Sequence, residues 1–375
     1  MIDSAILAPQ GETDRHGSLA VVADVRELVG PRAPIDEALV AAAVRGWSAN
    51  TRRAFRSDLT LWGKWCRQNR IAADRADAAL VASWIRALAG IDDSSETQRA
   101  MATIERYIVN VGWAYRMAGL PDPTSMPLVR LEKKAARKAL GVKQRQARAI
   151  RFKGEISDLD SPAVGVCLAH LVRACRRDEL GLRDEAFLRV AYDTGARRSE
   201  LVAIDVDHVE GPDTEGAGIL FIPSSKTDQV GEGAYAYLAP KTMAAIRRWR
   251  DKADVRKGPL FRRVETHFDG SVAAIGRNRL HPNSVTLIYR RLIRAAWERK
   301  LLGAMSEAEL ERWVAAVSSH SIRVGVAQDN FAAGEGLPAI MQAYRWRDPK
   351  TVMRYGARLA AKSGASARLA KRFAD

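Results

Sequence analysis

Apolar residues recur at helical spacing through most of this chain. After Ser48, a residue type that caps helix N-termini, Phe55, Leu59, Trp62 and Trp65 or Cys66 repeat every three to four positions. Arg52, Arg53, Arg56 and Lys64 fill much of the remaining surface, which predicts an amphipathic helix with a basic outer face. A second helix is expected over 80–89. A third carries Met101, Ile104, Ile108, Val111 and Tyr115 on one stripe and stops at Gly119 and Pro121. Residues 46–138 therefore read as an all-helical domain. Residues 1–45 mix polar, Gly and Pro positions around one short apolar run, 38–44, and read as a poorly ordered tail. Lys and Arg crowd residues 133–151, and 139–152 reads as a basic linker. Two readings of that charge are open, a solvated helix end and a segment running over phosphates.

The remainder, 153–375, mixes two periods. Helical patterns occupy 163–175, 183–192, 241–252, 283–299, 307–317, 320–333 and 337–344. Two short strand candidates, 218–222 and 234–238, flank a turn-rich stretch containing Ser224-Ser225-Lys226-Thr227-Asp228. The expected fold is mainly α: a helical N-terminal domain and an α-rich second domain with a small antiparallel β-sheet. A partly apolar segment, 358–373, closes the chain. No repeat at solenoid periods and no long low-complexity segment is visible.

Composition narrows the class. At 375 residues two domains are the natural expectation. The net charge of +16 favours an extended polyanion as partner, although a merely basic protein would show the same number. Cys66, Cys167 and Cys175 form no C-x-x-C pair, which argues against a disulfide framework or a zinc site and fits a reducing cytoplasm. No secretory leader pattern opens the sequence, and no apolar run reaches membrane-spanning length. A cytoplasmic protein is expected.

The chemistry concentrates late in the chain. Cutting a DNA phosphodiester with side chains alone needs a nucleophile, cations on the non-bridging oxygens and an acid for the leaving oxygen. Arginine suits the second task through its planar fork, and tyrosine suits the first because it forms a phosphoester that stores the bond energy. Thr194-Gly195-Ala196-Arg197-Arg198-Ser199-Glu200-Leu201 places Arg197 where a turn enters a helix, with Glu200 on the same face three residues on. Arg198 is adjacent, and because neighbouring helix positions point apart only one of the two can serve as a phosphate clamp. Lys226 rides between the two strand candidates. His320 and Arg323 sit side by side on one helix face, and Trp346 and Tyr355 follow. Each residue alone has a plainer explanation in packing or solvation; the ordered set does not.

The order Arg197, Lys226, His320-Ser321-Ile322-Arg323, Trp346, Tyr355 resembles the tyrosine recombinases of the phage-integrase type. The resemblance covers the chain from about residue 46 onward, more weakly in the helical first domain, with an insertion near 305–317. It implies a two-domain, C-shaped DNA clamp with catalytic residues Arg197, Glu200, Lys226, His320, Arg323, Trp346 and Tyr355. Tyr355 would form a 3′-phosphotyrosyl bond, Arg197 and Arg323 would clamp the phosphate, and Lys226 would be the general acid. His320 and Trp346 would order the phosphate, with Glu200 supporting from behind. No metal or other cofactor is implied. The partners implied are double-stranded DNA with an inverted-repeat site and three further copies of the chain, a monomer when free assembling into a tetramer on DNA. In that tetramer the 358–373 helix passes to a neighbour and strands exchange through a Holliday junction.

The resemblance also sets Arg52, Arg53, Arg56 and Arg106 in the first domain, and Asn283, Ser284 and Thr286 in the second, against DNA. Base reading and plain phosphate contact stay open for each. Three alternatives share these residues: a type IB topoisomerase, a hairpin telomere resolvase, and a DNA-binding protein with a degenerate site.

Overall fold

Capping side chains set the helix starts where the periodicity begins. The computed structural model describes the chain except for residues 1–9, 93–95, 142–145, 155–160, 224–232, 364–368, 371 and 374–375. It divides into two compact units, Met1–Arg145 and Gln146–Asp375.

The first unit contains α1 (Gln10–Val29), α2 (Glu37–Arg45), α3 (Ala49–Gln68), α4 (Ala78–Ala89), α5 (Met101–Met117) and α6 (Pro127–Leu140). Ser48 Oγ accepts the Thr51 N–H at 3.1 Å and Asp77 accepts the Leu80 N–H at 2.9 Å, so α3 and α4 each begin on a side-chain cap. Gly90, at φ +65°, ends α4 in the left-handed conformation that glycine adopts without penalty. Trp62, Trp84, Ile85, Ile104 and Tyr115 are buried where α3, α4 and α5 meet. Each such side chain contributes about 1.5–3 kcal/mol of burial. The Trp62 indole donates to Tyr115 Oη at 3.2 Å, which satisfies the one polar atom it brings inside.

One expectation needs correction here. Most of residues 1–45 form α1 and α2 rather than a loose tail. Val21, Val25, Val40 and Val44 are buried against Phe55, Leu59, Ala114 and Met117. The apolar residues of α1 are spaced for a helix but diluted by polar neighbours, so its pattern is weak until α3 and α5 supply the opposing face. The basic run Lys133-Lys134-Ala135-Ala136-Arg137-Lys138 lies on α6, inside the helical stretch expected over 46–138, with Ala136 buried and Arg137 bonded to Glu105.

The second unit contains α7 (Leu168–Ala174), α8 (Glu179–Thr194), α9 (Arg198–Ala203), β1 (Val209–Glu210), β2 (Gly218–Ile222), β3 (Ala234–Leu238), α10 (Pro240–Lys252), β4 (Arg262–Thr266), β5 (Val272–Arg279), α11 (Ser284–Glu298), α12 (Glu307–Ala316), α13 (Ser321–Ala332), α14 (Leu337–Ala343) and α15 (Pro349–Ser363). Strands β1, β2 and β3 form an antiparallel sheet in that order, with Ile222 opposite Ala234. Strands β4 and β5 form a separate antiparallel hairpin. That hairpin escaped the sequence pattern because Arg262, Arg263, Ala273, Ala274 and Gly276 break any apolar alternation.

Helix α8 runs through the middle of the core. Phe187 meets Phe261 edge-on at 5.1 Å, and Trp249 is buried with its indole donating to Leu260 O at 2.8 Å. Helix α13 is fixed by a buried polar staple. Asp329 pairs with Arg151 at 2.6 Å and accepts from the Phe152 N–H at 2.7 Å and Tyr192 Oη at 2.6 Å. A smaller apolar cluster, Ala327, Ile340, Trp346 and Val352, joins α13, α14 and α15.

Gly325 marks the closest approach in this arrangement. A β-carbon there would lie 1.9 Å from the Ile150 carbonyl oxygen, a backbone atom that cannot rotate away. Gly325→Ala is expected to destabilise the protein by at least about 1–3 kcal/mol, read as a lowered urea midpoint. An unchanged midpoint would contradict the packing of α13 on residues 150–151.

Candidate active site

Three separate segments supply the site, and backbone geometry aims each. Helix α8 ends at Gly195, φ +54°, where an added β-carbon would lie 2.8 Å from the Tyr344 ring. The chain then turns into α9 with Arg197 at its N-cap. Glu200 closes that turn: its carboxylate accepts the Arg197 N–H at 2.9 Å and the Arg197 guanidinium at 2.8 Å. Glu200 is buried. Burial by itself would raise its pKa, but the two Arg197 hydrogen bonds and the charges of Arg197 and Arg345 outweigh it, and the carboxyl is held below its usual range.

Helix α13 supplies the second part. Its N-cap is His320, and Arg323 lies one turn later, 4% exposed. The Arg323 guanidinium donates to Gly195 O and, at 3.3 Å, to Tyr344 O, and it lies 4.5 Å over the Trp346 ring. Burial first and the Arg197 cation second push its pKa down to about 9, so it remains charged at neutral pH. His320 stands at the exposed end of the helix. Desolvation, then the positive Arg323, Arg198 and Arg197, lower its pKa, which favours the neutral imidazole at pH 7.

The third part follows α14. Trp346 is buried, and its ring meets that of Tyr355 at 6.1 Å and 60°. Tyr355 is half-buried on α15, which packs so closely on α13 that a β-carbon at Gly356 would lie 2.3 Å from the Phe331 ring. The Tyr355 carbonyl also accepts from Gln328 of α13 at 3.3 Å.

Arg197, Glu200, His320, Arg323, Trp346 and Tyr355 are thus gathered in one place. Lys226 lies outside the described residues, in the connection between β2 and β3. Arg198 points away from Glu200 and reaches Asn283 Oδ1 at 3.4 Å. Asn283 is exposed at the N-cap of α11, with Ser284 and Thr286 half-buried on its first turn. In the first unit, Arg106 is bonded twice to the buried Asp58 (3.0 and 2.9 Å), Arg56 to Asp24 (2.7 Å) and Arg53 to Asn50 (2.8 Å). Arg52 reaches Trp47 O at 3.4 Å. Arg106 and Arg56 keep half or more of their side chains exposed, at 50% and 60%. Their guanidinium groups are therefore held in position rather than hidden.

Arg345 was not anticipated. It adopts φ +57°, a left-handed conformation in which an arginine is strained, just after α14. Its guanidinium bonds Thr194 O at 3.1 Å and lies 3.7 Å from Glu200, while Nε and Nη1 are buried without hydrogen-bond partners. No local pattern announces it, because the left-handed position after a helix ordinarily selects Gly or Asn. Among the described residues the pocket therefore holds three guanidinium groups, Arg197, Arg323 and Arg345, against the carboxylate of Glu200. This charge excess suits an anion.

The sequence matches the phage integrase family over residues 168–362 and the SAM-like N-terminal domain of phage integrases over residues 42–110. It is 27% identical over 329 residues to the recombinase cre of Escherichia phage P1, covering 87% of this chain and 89% of that protein. It is 26% identical over 315 residues to an integrase/recombinase xerD homolog of Selenomonas ruminantium, covering 82% and 81%. The crystal structure of XerH site-specific recombinase bound to palindromic difH substrate, a post-cleavage complex, shares the fold. Its TM-score is 0.56 at 12% identity, over 94% of this chain and 96% of that one.

Glu200 gives the site a pH signature. A carboxylate with a lowered folded pKa contributes its full stability above its ordinary pKa near 4.5 and loses it as pH falls through the folded value. Glu200→Gln is expected to cost about 3–5 kcal/mol at pH 7, the penalty for breaking a buried pair. It should also flatten the stability profile below pH 4.5, measured by urea unfolding across pH 3–7. An equal loss at every pH would contradict the assignment.

Proposed function

The chain belongs to the phage integrase family, the tyrosine recombinases, and on that premise we propose that it cuts and rejoins duplex DNA at specific sites through a covalent bond to Tyr355. The observation that carries this reading is the buried Arg323 guanidinium, fixed between the Gly195 carbonyl and the Trp346 face, beside the Tyr355 ring. A buried cation so placed has electrostatic use only when an anion enters, and the phosphodiester is the anion that a basic chain of this family meets.

The proposed roles are these. Tyr355 Oη attacks phosphorus, forming a 3′-phosphotyrosyl bond, and the 5′-oxygen leaves. Arg197 and Arg323 donate to the non-bridging oxygens, where charge builds in the transition state. Arg197 can do so without reorganising, because Glu200 and the α9 turn already fix its fork. Neutral His320 donates an N–H to the same oxygens. Trp346 walls the pocket and keeps Arg323 in plane. Lys226, between β2 and β3, protonates the leaving oxygen. The phosphotyrosyl bond retains the energy of the broken linkage, so a second 5′-hydroxyl can attack it and rejoin the strand.

Assembly is the remaining part of the proposal. Four copies hold two inverted-repeat sites and exchange strands in two rounds through a Holliday junction. Leu369 and Phe373, exposed beyond α15, are apolar residues suited to a neighbouring copy. Arg52, Arg53, Arg56 and Arg106 on the first unit, and Asn283, Ser284 and Thr286 on the second, contact the DNA of each half-site.

A plasmid carrying two copies of a bound site tests the proposal. The full chain is expected to convert it into two circles, or to invert the intervening segment. Relaxation of supercoils without exchange would assign the same pocket to a topoisomerase.

A further inference from the structure

Arg345 is disfavoured where it stands in three ways. Its backbone adopts φ +57°, the left-handed region that glycine enters freely and other residues resist. Its side chain is 11% exposed, and Nε and Nη1 are buried without a hydrogen-bond partner among the described residues. Arg197 and Arg323 are close enough to repel it. A glycine would remove all three penalties. Strain of this kind persists where a site, rather than the fold, requires the residue.

The neighbours of Arg345 show what it supplies. Residues 344–346 each touch a different part of the pocket. Tyr344 O accepts from Arg323 at 3.3 Å, the Trp346 ring lies 4.5 Å from the same guanidinium, and Arg345 between them turns to Glu200. Arg345 also donates at 3.1 Å to the carbonyl of Thr194, the last residue of α8. Its head is therefore fixed where the chain turns through Gly195 toward Arg197.

Glu200 is the carboxylate that both guanidinium groups meet, and they meet different oxygens. Oε1 accepts from Arg197 Nη1 at 2.8 Å. Oε2 accepts the Arg197 N–H at 2.9 Å and lies 3.7 Å from Arg345 Nη2. At that separation the Arg345 contact is ionic rather than a hydrogen bond. With Arg197 as its sole cation, Glu200 would fix the Arg197 fork and cancel its charge together. A second cation on the far oxygen separates the two effects. The three groups then carry one net positive charge. Arg197, 20% exposed against 11% for Arg345, is the member that presents it to an entering anion.

We propose that Arg345 is a positioning residue of the active site: as second counter-ion of Glu200, it leaves the charge of Arg197 available to the cleaved phosphate. The proposal rests on the reading of this pocket as a phosphate site. Arg345 acts through Glu200 and Arg197 and touches no reacting atom.

The test compares the full chain with Arg345→Gly and Arg345→Lys in three measurements. In the first, inorganic phosphate is titrated while the imidazole proton resonance of His320, identified by its loss in His320→Gln, reports occupancy. Arg345→Gly is expected to need about tenfold more phosphate for half-saturation, the effect of one unit charge about 10 Å away at an effective dielectric near 20. Arg345→Lys keeps the cation and should stay within about threefold of the parent. In the second, the urea midpoint of Arg345→Gly should equal or exceed that of the parent, because glycine adopts the left-handed backbone without strain. The third is the rate of Tyr355 adduct formation on a nicked duplex, recovered from a random pool by binding to the full chain. That rate should fall about 10–100-fold in Arg345→Gly, the scale of losing a partner that orients a site's inner groups. Arg345→Lys should restore most of it.

Equal phosphate affinity of Arg345→Gly and the parent would overturn the proposal, as would a parent whose His320 resonance ignores phosphate. A lowered midpoint for Arg345→Gly would also overturn it, since Arg345 would then serve the fold. So would an Arg345→Lys as weak as Arg345→Gly, since charge would then not be what Arg345 supplies. The phosphate titration needs no covalent step. A parent that shows the tenfold difference and yet forms no adduct on Tyr355 would therefore count against the recombinase chemistry and not against the role of Arg345.

Discussion

A single buried carboxylate organises the candidate site. Glu200 accepts two hydrogen bonds from Arg197 and neighbours Arg345, while Arg323 is held close by through the Gly195 and Tyr344 carbonyls. One negative charge among three guanidinium groups leaves the described pocket positive. That excess lowers the pKa of Arg323 after burial has already done so, and it helps keep His320 neutral. The arrangement is poor as a device for stability, because buried like charges repel. It suits a bound phosphate, and more so one that gains charge as it is attacked.

The rest of the second unit can be understood as support for that cluster. Helix α13 carries both His320 and Arg323, so its placement sets two of the groups at once. Asp329 staples it to Arg151 and Tyr192, and Gly325 lets it approach residues 150–151 closely. Helix α15 brings Tyr355 through a small apolar cluster of its own, separate from the main core. A side chain held by a satellite cluster can shift without unfolding the domain, which suits the proposed role of Tyr355 as the attacking group. The left-handed Arg345 belongs to the same economy: its backbone strain persists because Glu200 and Thr194 over-determine its position.

Much of this was legible in the sequence, for identifiable reasons. Helices α3, α5 and α11 have clear apolar stripes, and the candidate site residues fall in an order that packing does not explain. The Arg197–Glu200 pair was readable because three-residue spacing at a helix start puts both on one face. Other features depended on partners far away in the chain. Helix α1 becomes stable only against Phe55 and Met117, so its diluted pattern read as a tail. The β4–β5 hairpin has few apolar positions and is held by Arg176, Arg183 and Arg279 instead. Arg345 is invisible locally, since its conformation defies the preference of its residue type. Arg106 looked like a free basic contact until Asp58, 48 residues earlier, proved to anchor it.

The central claim is that Tyr355 becomes covalently joined to DNA in a pocket built around Arg197, Glu200 and Arg323. The most direct measurement traps the adduct on a bound duplex nicked beside the cleaved phosphate, so that the released 5′ fragment diffuses away. Peptide mass spectrometry then locates the attached nucleotide. The account predicts a 3′-phosphodeoxynucleotide on the peptide containing Tyr355, absent from Tyr355→Phe although that variant still binds the duplex. Attachment at any other residue, or an adduct that persists in Tyr355→Phe, would contradict it.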